Sequence, residues 1–134
     1  MQTNISKIYK DKTILITGGT GYIGSCLTHA LSKIDCNLKV LSGSSSSWIP
    51  ETNNANMTLL YGDVSNFNLW STILDDVDYI FHLASVGRIN DHKREIEVNA
   101  MSMLHLINVC KSKELSPKIV FSSSANIFGN VSSV

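Results

Sequence analysis

Lys12 to Ser25 reads Lys-Thr-Ile-Leu-Ile-Thr-Gly-Gly-Thr-Gly-Tyr-Ile-Gly-Ser, and no other stretch restricts the fold as much. A short β-branched apolar run, Thr13 to Thr17, gives way to glycines at 18, 21 and 24, and Ile23, Leu27, Leu31 and Ile34 then recur at helical spacing. The order is strand, tight turn, helix start. Gly18 can take φ > 0 in the turn, Gly21 lets the backbone approach a pyrophosphate, and Gly24 allows the helix to lie close on the strand. Unpaired N–H groups and the dipole at such a helix start favour phosphate. The spacing describes a dinucleotide site, but an ordinary Gly-rich turn can share it, and spacing alone does not separate the two.

Length and composition set the outer limits. A chain of 134 residues, 43% hydrophobic and 16% charged, suits one soluble domain with its own core. Eleven basic residues balance eleven acidic ones, so nothing favours nucleic acid or an anionic membrane as partner. Cys26, Cys36 and Cys110 form an odd set without C-x-x-C, which fits thiols in a reducing compartment better than a disulfide framework. Met1 to Asp11 is polar and no run approaches the length of a membrane span, so the expected location is cytoplasmic, with no membrane partner. Glycosylation sequons at Asn4, Asn56 and Asn130 lack any accompanying targeting segment.

Strand and helix patterns continue to alternate. Leu38 to Leu41 predicts a second strand; a dinucleotide fold places Asp or Glu at its end to bind the adenosine ribose, and this chain has Ser42 there. Gly43 and Ser44 to Ser47 follow as a small polar loop, readable as a connection or as a phosphate cradle. Met57 to Tyr61 predicts a third strand ending in Gly62-Asp63-Val64, with Ser65 capping a helix through Leu69, Trp70 and Ile73. Asp75, Asp76 and Asp78 read as a solvated turn before a fourth strand, Tyr79 to Leu83. Within it, His82 reads as a satisfied core residue rather than a catalytic one. His29, His82, His92 and His105 lack metal-ligand spacing, so no metal is expected. From about Arg94 to Lys113 a long helix carries Ile96, Met101, Leu104, Ile107 and Val109 on more than one face, which predicts burial on two sides. Pro117 breaks the pattern, and Lys118 to Phe121 begins a fifth strand that runs into Ser122-Ser123-Ser124-Ala125-Asn126-Ile127-Phe128-Gly129. Consecutive right-handed crossovers give a parallel sheet in the order 3-2-1-4-5, with the ligand where the order reverses.

Thr17-Gly18-Gly19-Thr20-Gly21-Tyr22-Ile23-Gly24, His82-Leu83-Ala84-Ser85 and the run from Ser122 to Gly129 together resemble the short-chain dehydrogenase/reductase superfamily, in its extended branch of NAD-dependent nucleotide-sugar epimerases and dehydratases. The resemblance implies a Rossmann-type α/β domain over residues 1–134, a doubly wound parallel sheet in three layers. It implies NAD as cofactor, with NADP left open by Ser42; no Arg or Lys lies between Ser42 and Asn56 to attract a 2′-phosphate. Carried over residue by residue, Gly18, Gly21, Tyr22, Ile23 and Gly24 fall at the pyrophosphate and Ser42 at the adenosine ribose. Asp63 with Val64 falls at the adenine, where its local alternative is a turn-forming aspartate. Leu83, Ala84 and Ser85 fall against ribose and phosphates, and Ser122 on the cofactor side. Asn99 matches a residue that contacts the nicotinamide half, though alone it is a polar residue early in a helix. Ser124 matches the serine that hydrogen-bonds the reacting oxygen.

In that family a Tyr-x-x-x-Lys pair beyond the serine completes the site, the Lys lowering the tyrosine's pKa so that it can take a sugar hydroxyl proton. Tyr22, Tyr61 and Tyr79 are not followed by Lys four residues on, so the catalytic pair and the sugar-nucleotide domain are expected to be missing. The chain then reads as the amino-terminal part of a longer enzyme, or as a cofactor-binding, sensing or scaffolding module that does no chemistry. Dehydratases of the family carry Thr-Asp-Glu where this chain has Ser124-Ala125-Asn126, which points to an epimerase or a reductase. A nucleotide-sugar substrate and a homodimer through the helix around 94–113 are further implications of the resemblance.

Overall fold

The computed structural model describes residues 4–43, 54–87, 90–124 and Gly129. The Ser44 to Ser47 loop, the Asn130 sequon and the Ala125 to Phe128 part of the serine motif lie outside the described residues.

Side chains alternate across a strand, so the apolar runs of the central strands supply a buried face to each side of the sheet. The strands β1 (Thr13–Thr17), β2 (Asn37–Ser42), β3 (Met57–Tyr61), β4 (Tyr79–His82) and β5 (Lys118–Phe121) form one parallel sheet in the order β3-β2-β1-β4-β5. Ile14 pairs with Leu38 on one side and Tyr79 on the other. Ile14 and Ile16 enter a cluster with Leu31, Cys36, Leu38 and Val40, roofed by α1 (Ile5–Tyr9) through Tyr9 and by α2 (Tyr22–Leu31). Leu15 points the other way, into a cluster with Leu41, Trp70, Ile80 and Leu106 under α3 (Phe67–Ile73) and α5 (Ser102–Ser112). The three layers and the strand order are those the sequence implied. From β1 the chain winds outward through β2 and β3, then returns to β4 and β5, leaving a crevice at the carboxyl ends of β1 and β4.

Two local expectations are corrected. The α3 cap is Asn66, whose side chain accepts from the Asn68 N–H at 3.0 Å, while Ser65 turns back to the Asp63 carboxylate. The aspartates before β4 form the exposed turn the sequence implied at Asp75 and Asp76, and two of the three also have partners: Asp78 accepts from the Thr13 N–H at 2.9 Å and Lys12 Nζ at 3.1 Å, fastening the start of β1, and Asp75 takes Lys113 Nζ at 2.7 Å. The long helix has three parts, α4 (His92–Ile96), a π-helical turn over Glu97–Met101, and α5. It is buried on one side only, through Val98, Ser102, Leu106, Val109 and Cys110; Ile96, Met101, Leu104 and Ile107 are exposed. The apolar residues suffice for two buried faces, but the sheet covers one, and among the described residues nothing reaches the other.

Candidate dinucleotide site

The β1–α2 turn is held in one shape by its glycines. Gly18 has φ +66°, and a Cβ there would lie 2.8 Å from Ala84 Cα, so the turn and the end of β4 touch backbone to backbone. A Cβ on Gly24 would lie 2.0 Å from the Gly18 carbonyl oxygen, so this glycine packs the helix on the turn itself. Gly21 is the N-cap of α2 and has no side chain to cap with, so the first-turn amides at Tyr22 and Ile23, which have no helical acceptor, border the crevice.

The crevice is a cavity of about 530 Å³, within the range of small-molecule sites. Of the residues singled out in the sequence, Gly18 and Gly21 line it from the β1–α2 turn, Tyr22, Ile23 and Gly24 from the start of α2, Ser42 from the end of β2, Asp63 and Val64 from just after β3, and Leu83, Ala84 and Ser85 from just after β4. Ser42 is buried, and its hydroxyl pairs with the Thr20 hydroxyl at 3.0 Å, tying the end of β2 to the glycine turn. Asn99 does not line the cavity. It accepts from the Val86 N–H at 2.9 Å and donates to the Val86 carbonyl at 2.7 Å, so its amide holds the wall formed by Val86. Ser122 reaches back to the His82 carbonyl at 3.4 Å, and Ser124 follows at the carboxyl end of β5, on the side of the sheet where the cavity opens. Neither serine lines the cavity.

His82 is fully buried, with a partner at both ring nitrogens. Ser102 donates to the Val98 carbonyl at 2.6 Å, so its oxygen accepts from His82 Nε2 at 2.8 Å. Nδ1 then accepts from the Thr17 hydroxyl at 2.6 Å, whose oxygen accepts from the Ala84 N–H at 3.2 Å. The neutral imidazole therefore links the π turn to the strand ends beside the cavity. Burial, which the core reading of the sequence implied, lowers its pKa to about 4. Among the described residues no three His, Cys, Asp or Glu side chains converge as metal ligands.

One charged pair reaches the cavity that the sequence reading missed. Arg94, on α4, donates through Nη2 to Asp63 and through Nη1 to Ser65 Oγ at 2.8 Å. Burial pushes the Asp63 carboxyl up, but the Ser65 N–H and O–H and the guanidinium outweigh it and hold the group below the usual carboxylate range. Arg94 and Asp63 are 31 residues apart, and no periodic signal connects them.

A positive-φ turn, amides at a helix start and a crevice at the strand-order reversal define a dinucleotide-binding α/β domain. Residues 14–134 match the family described as NAD dependent epimerase/dehydratase, and the chain belongs to that family. It is 32% identical over 133 residues to a UDP-glucose 4-epimerase of Azospirillum brasilense, the alignment covering 90% of this chain and 36% of that protein. It is 29% identical over 131 residues to a protein of Methanocaldococcus jannaschii named as an uncharacterised membrane protein, covering 92% and 39%. Among solved structures, a UDP-N-acetylglucosamine 4-epimerase of Methanobrevibacter ruminantium, in complex with UDP-N-acetylmuramic acid, superposes with a TM-score of 0.76 at 30% identity over 93% of this chain and 43% of that one. The chain thus spans well under half the length of these relatives.

Proposed function

We propose that this chain is the NAD-binding part of a nucleotide-sugar epimerase or reductase that works by transient hydride transfer at a sugar carbon. The observation that carries the reading is the β1–α2 turn, where Gly18 and Gly24 leave no room for a Cβ and bring the α2 amides to the edge of the cavity. These residues fit a pyrophosphate, and the Asp63 end, flanked by Val64 and Val98, fits a base. NAD bound there supplies a hydride acceptor.

The chain's own residues would divide the work. Tyr22 and Ile23 amides hold the phosphates, Leu83 to Ser85 keep the opposite wall low, and Asn99 fixes that wall through Val86. Ser124 positions the reacting oxygen as it gains carbonyl character, a hydrogen-bonding role rather than nucleophilic attack. The proton acceptor would come from the part of the relatives' length that this chain does not span. NADP is disfavoured because no Arg or Lys lies between Ser42 and Asn56 to attract a 2′-phosphate, and the cavity's Arg94 is already engaged by Asp63. The exposed face formed by Ile96, Met101, Leu104 and Ile107 would take a second copy of the chain. Among the described residues no helix is long and apolar enough to cross a membrane, and Cys26, Cys36 and Cys110 are free thiols, which supports a reducing cytoplasm.

Calorimetric titration with NAD and NADP tests the cofactor assignment. Binding of NAD with weaker or no binding of NADP is the expected result; tighter NADP binding overturns the choice of cofactor, and silence with both removes the dinucleotide reading.

A further inference from the structure

The Asp63 carboxylate belongs to a closed ring of hydrogen bonds. Oδ1 accepts from the Ser65 N–H at 2.9 Å and hydroxyl at 2.8 Å; the Ser65 oxygen accepts from Arg94 Nη1 at 2.8 Å, and Arg94 Nη2 returns to Oδ2. The ring ties the end of β3 to the first turn of α4, and both charged members line the cavity beside Val64 and Val98. Arg94 is anchored at its backbone as well, its N–H donating to the Asp91 side chain at 3.0 Å.

A carboxylate offers about four lone-pair positions, and the ring takes three, leaving one on Oδ2. A neutral amine entering the cavity would not displace the guanidinium, because charge-assisted bonds are roughly twice as strong as neutral ones. The ring therefore persists when a base arrives, and the base meets it whole. We propose that Arg94 is a specificity-determining residue of this site: its guanidinium gives the base a flat cationic wall and holds the last acceptor position of Asp63 for an exocyclic amine, so that adenine is selected over a base with an oxo group there. This inference rests on the dinucleotide reading above. An amine donates to the remaining lone pair, whereas an oxo group opposes carboxylate with carbonyl oxygen. A planar guanidinium also packs on a ring face in a way an ammonium does not.

The test titrates the purified chain with NAD and with nicotinamide hypoxanthine dinucleotide, in which an oxo group replaces that amine and the neighbouring ring nitrogen gains a proton, and repeats both with Arg94→Met and Arg94→Lys. The unmodified chain should prefer NAD. Arg94→Met should weaken NAD about ten-fold, the scale of a cation–π contact with its supporting bonds, and weaken the hypoxanthine analogue less, so that the preference shrinks. Arg94→Lys keeps the charge without the plane and should fall between, and circular dichroism establishes that each variant is folded. Equal weakening of both ligands, or no weakening, overturns the role given to Arg94. Failure of the unmodified chain to bind either ligand would instead overturn the dinucleotide reading itself.

Discussion

His82 carries a pH dependence that can be separated from the rest of the molecule. Its ring is neutral in the fold because burial outweighs solvation of the cation, lowering the pKa from 6.5 to about 4. Above pH 6.5 both folded and unfolded chains hold it neutral and it adds no slope. As pH falls from 6.5 toward 4 the unfolded chain gains a proton that the folded one refuses, so stability is lost across that window, by about 3 kcal/mol from this group. The carboxylates run later: Asp63 and Asp78 are lowered from 3.8, so their contribution is present above that value and lost as pH falls through their folded values. Urea unfolding between pH 7 and 4.5 should show the loss, and His82→Gln, which cannot titrate, should start less stable yet change less with pH. Parallel profiles for the two chains would assign the acid sensitivity elsewhere. The same residue marks a limit of sequence reading: that a histidine amid Tyr79, Ile80 and Phe81 is core was legible, whereas its partners Thr17 and Ser102 lie on other elements and leave no mark in spacing.

Elements were the most legible scale, because β-branched runs broken by glycine and by helical spacing have few alternatives. The five strands and their order follow from that alternation together with right-handed crossovers, while most of the cavity lining was implied by the family resemblance. Asn99, Arg94 and the cap of α3 were not legible, since each depends on which loop atoms meet in space. Asn99 turns to Val86, and Asn66 competes with Ser65 one position away. The helix after β4 shows the same limit in its apolar residues, which the sequence placed on two buried faces. Met101, Leu104 and Ile107 follow one another at i,i+3 spacing, and the wider π turn brings Ile96, five residues before Met101, toward the same stripe. A second copy packing on this stripe would remove large side chains from water, each worth about 1.5–3 kcal/mol when fully buried. Sedimentation equilibrium should therefore detect self-association that Leu104→Glu weakens by at least about ten-fold, a charge opposing burial at the centre of the face. A monomer at all concentrations, or a dimer indifferent to this change, would remove the face from the interface.

At the scale of the whole molecule, the cavity and the catalytic equipment are unequal. The cofactor end is built, with the glycine turn, Asp63 and the β4 wall in register, and Ser124 stands at the carboxyl end of β5. No tyrosine in the sequence is followed by lysine four residues on, and a hydroxyl proton must leave before hydride can transfer. A serine hydroxyl at Ser124 can orient an oxygen, but a neutral hydroxyl is too weak a base to take its proton. General acid–base catalysis contributes about a hundred- to ten-thousand-fold, and here its absence also withholds the first step of the reaction. The 134-residue chain should therefore bind NAD yet fail to convert UDP-glucose into its 4-epimer, measured by chromatography of the sugar nucleotides after prolonged incubation with saturating cofactor. On the proposed reading, binding and turnover are independent, since the α2 amides and Asp63 would contact the cofactor while the missing proton acceptor would act only on the sugar. Epimer formation by this chain alone would mean that one of its own residues removes the proton, and the division of labour assigned to Ser124 and an external base would have to be abandoned.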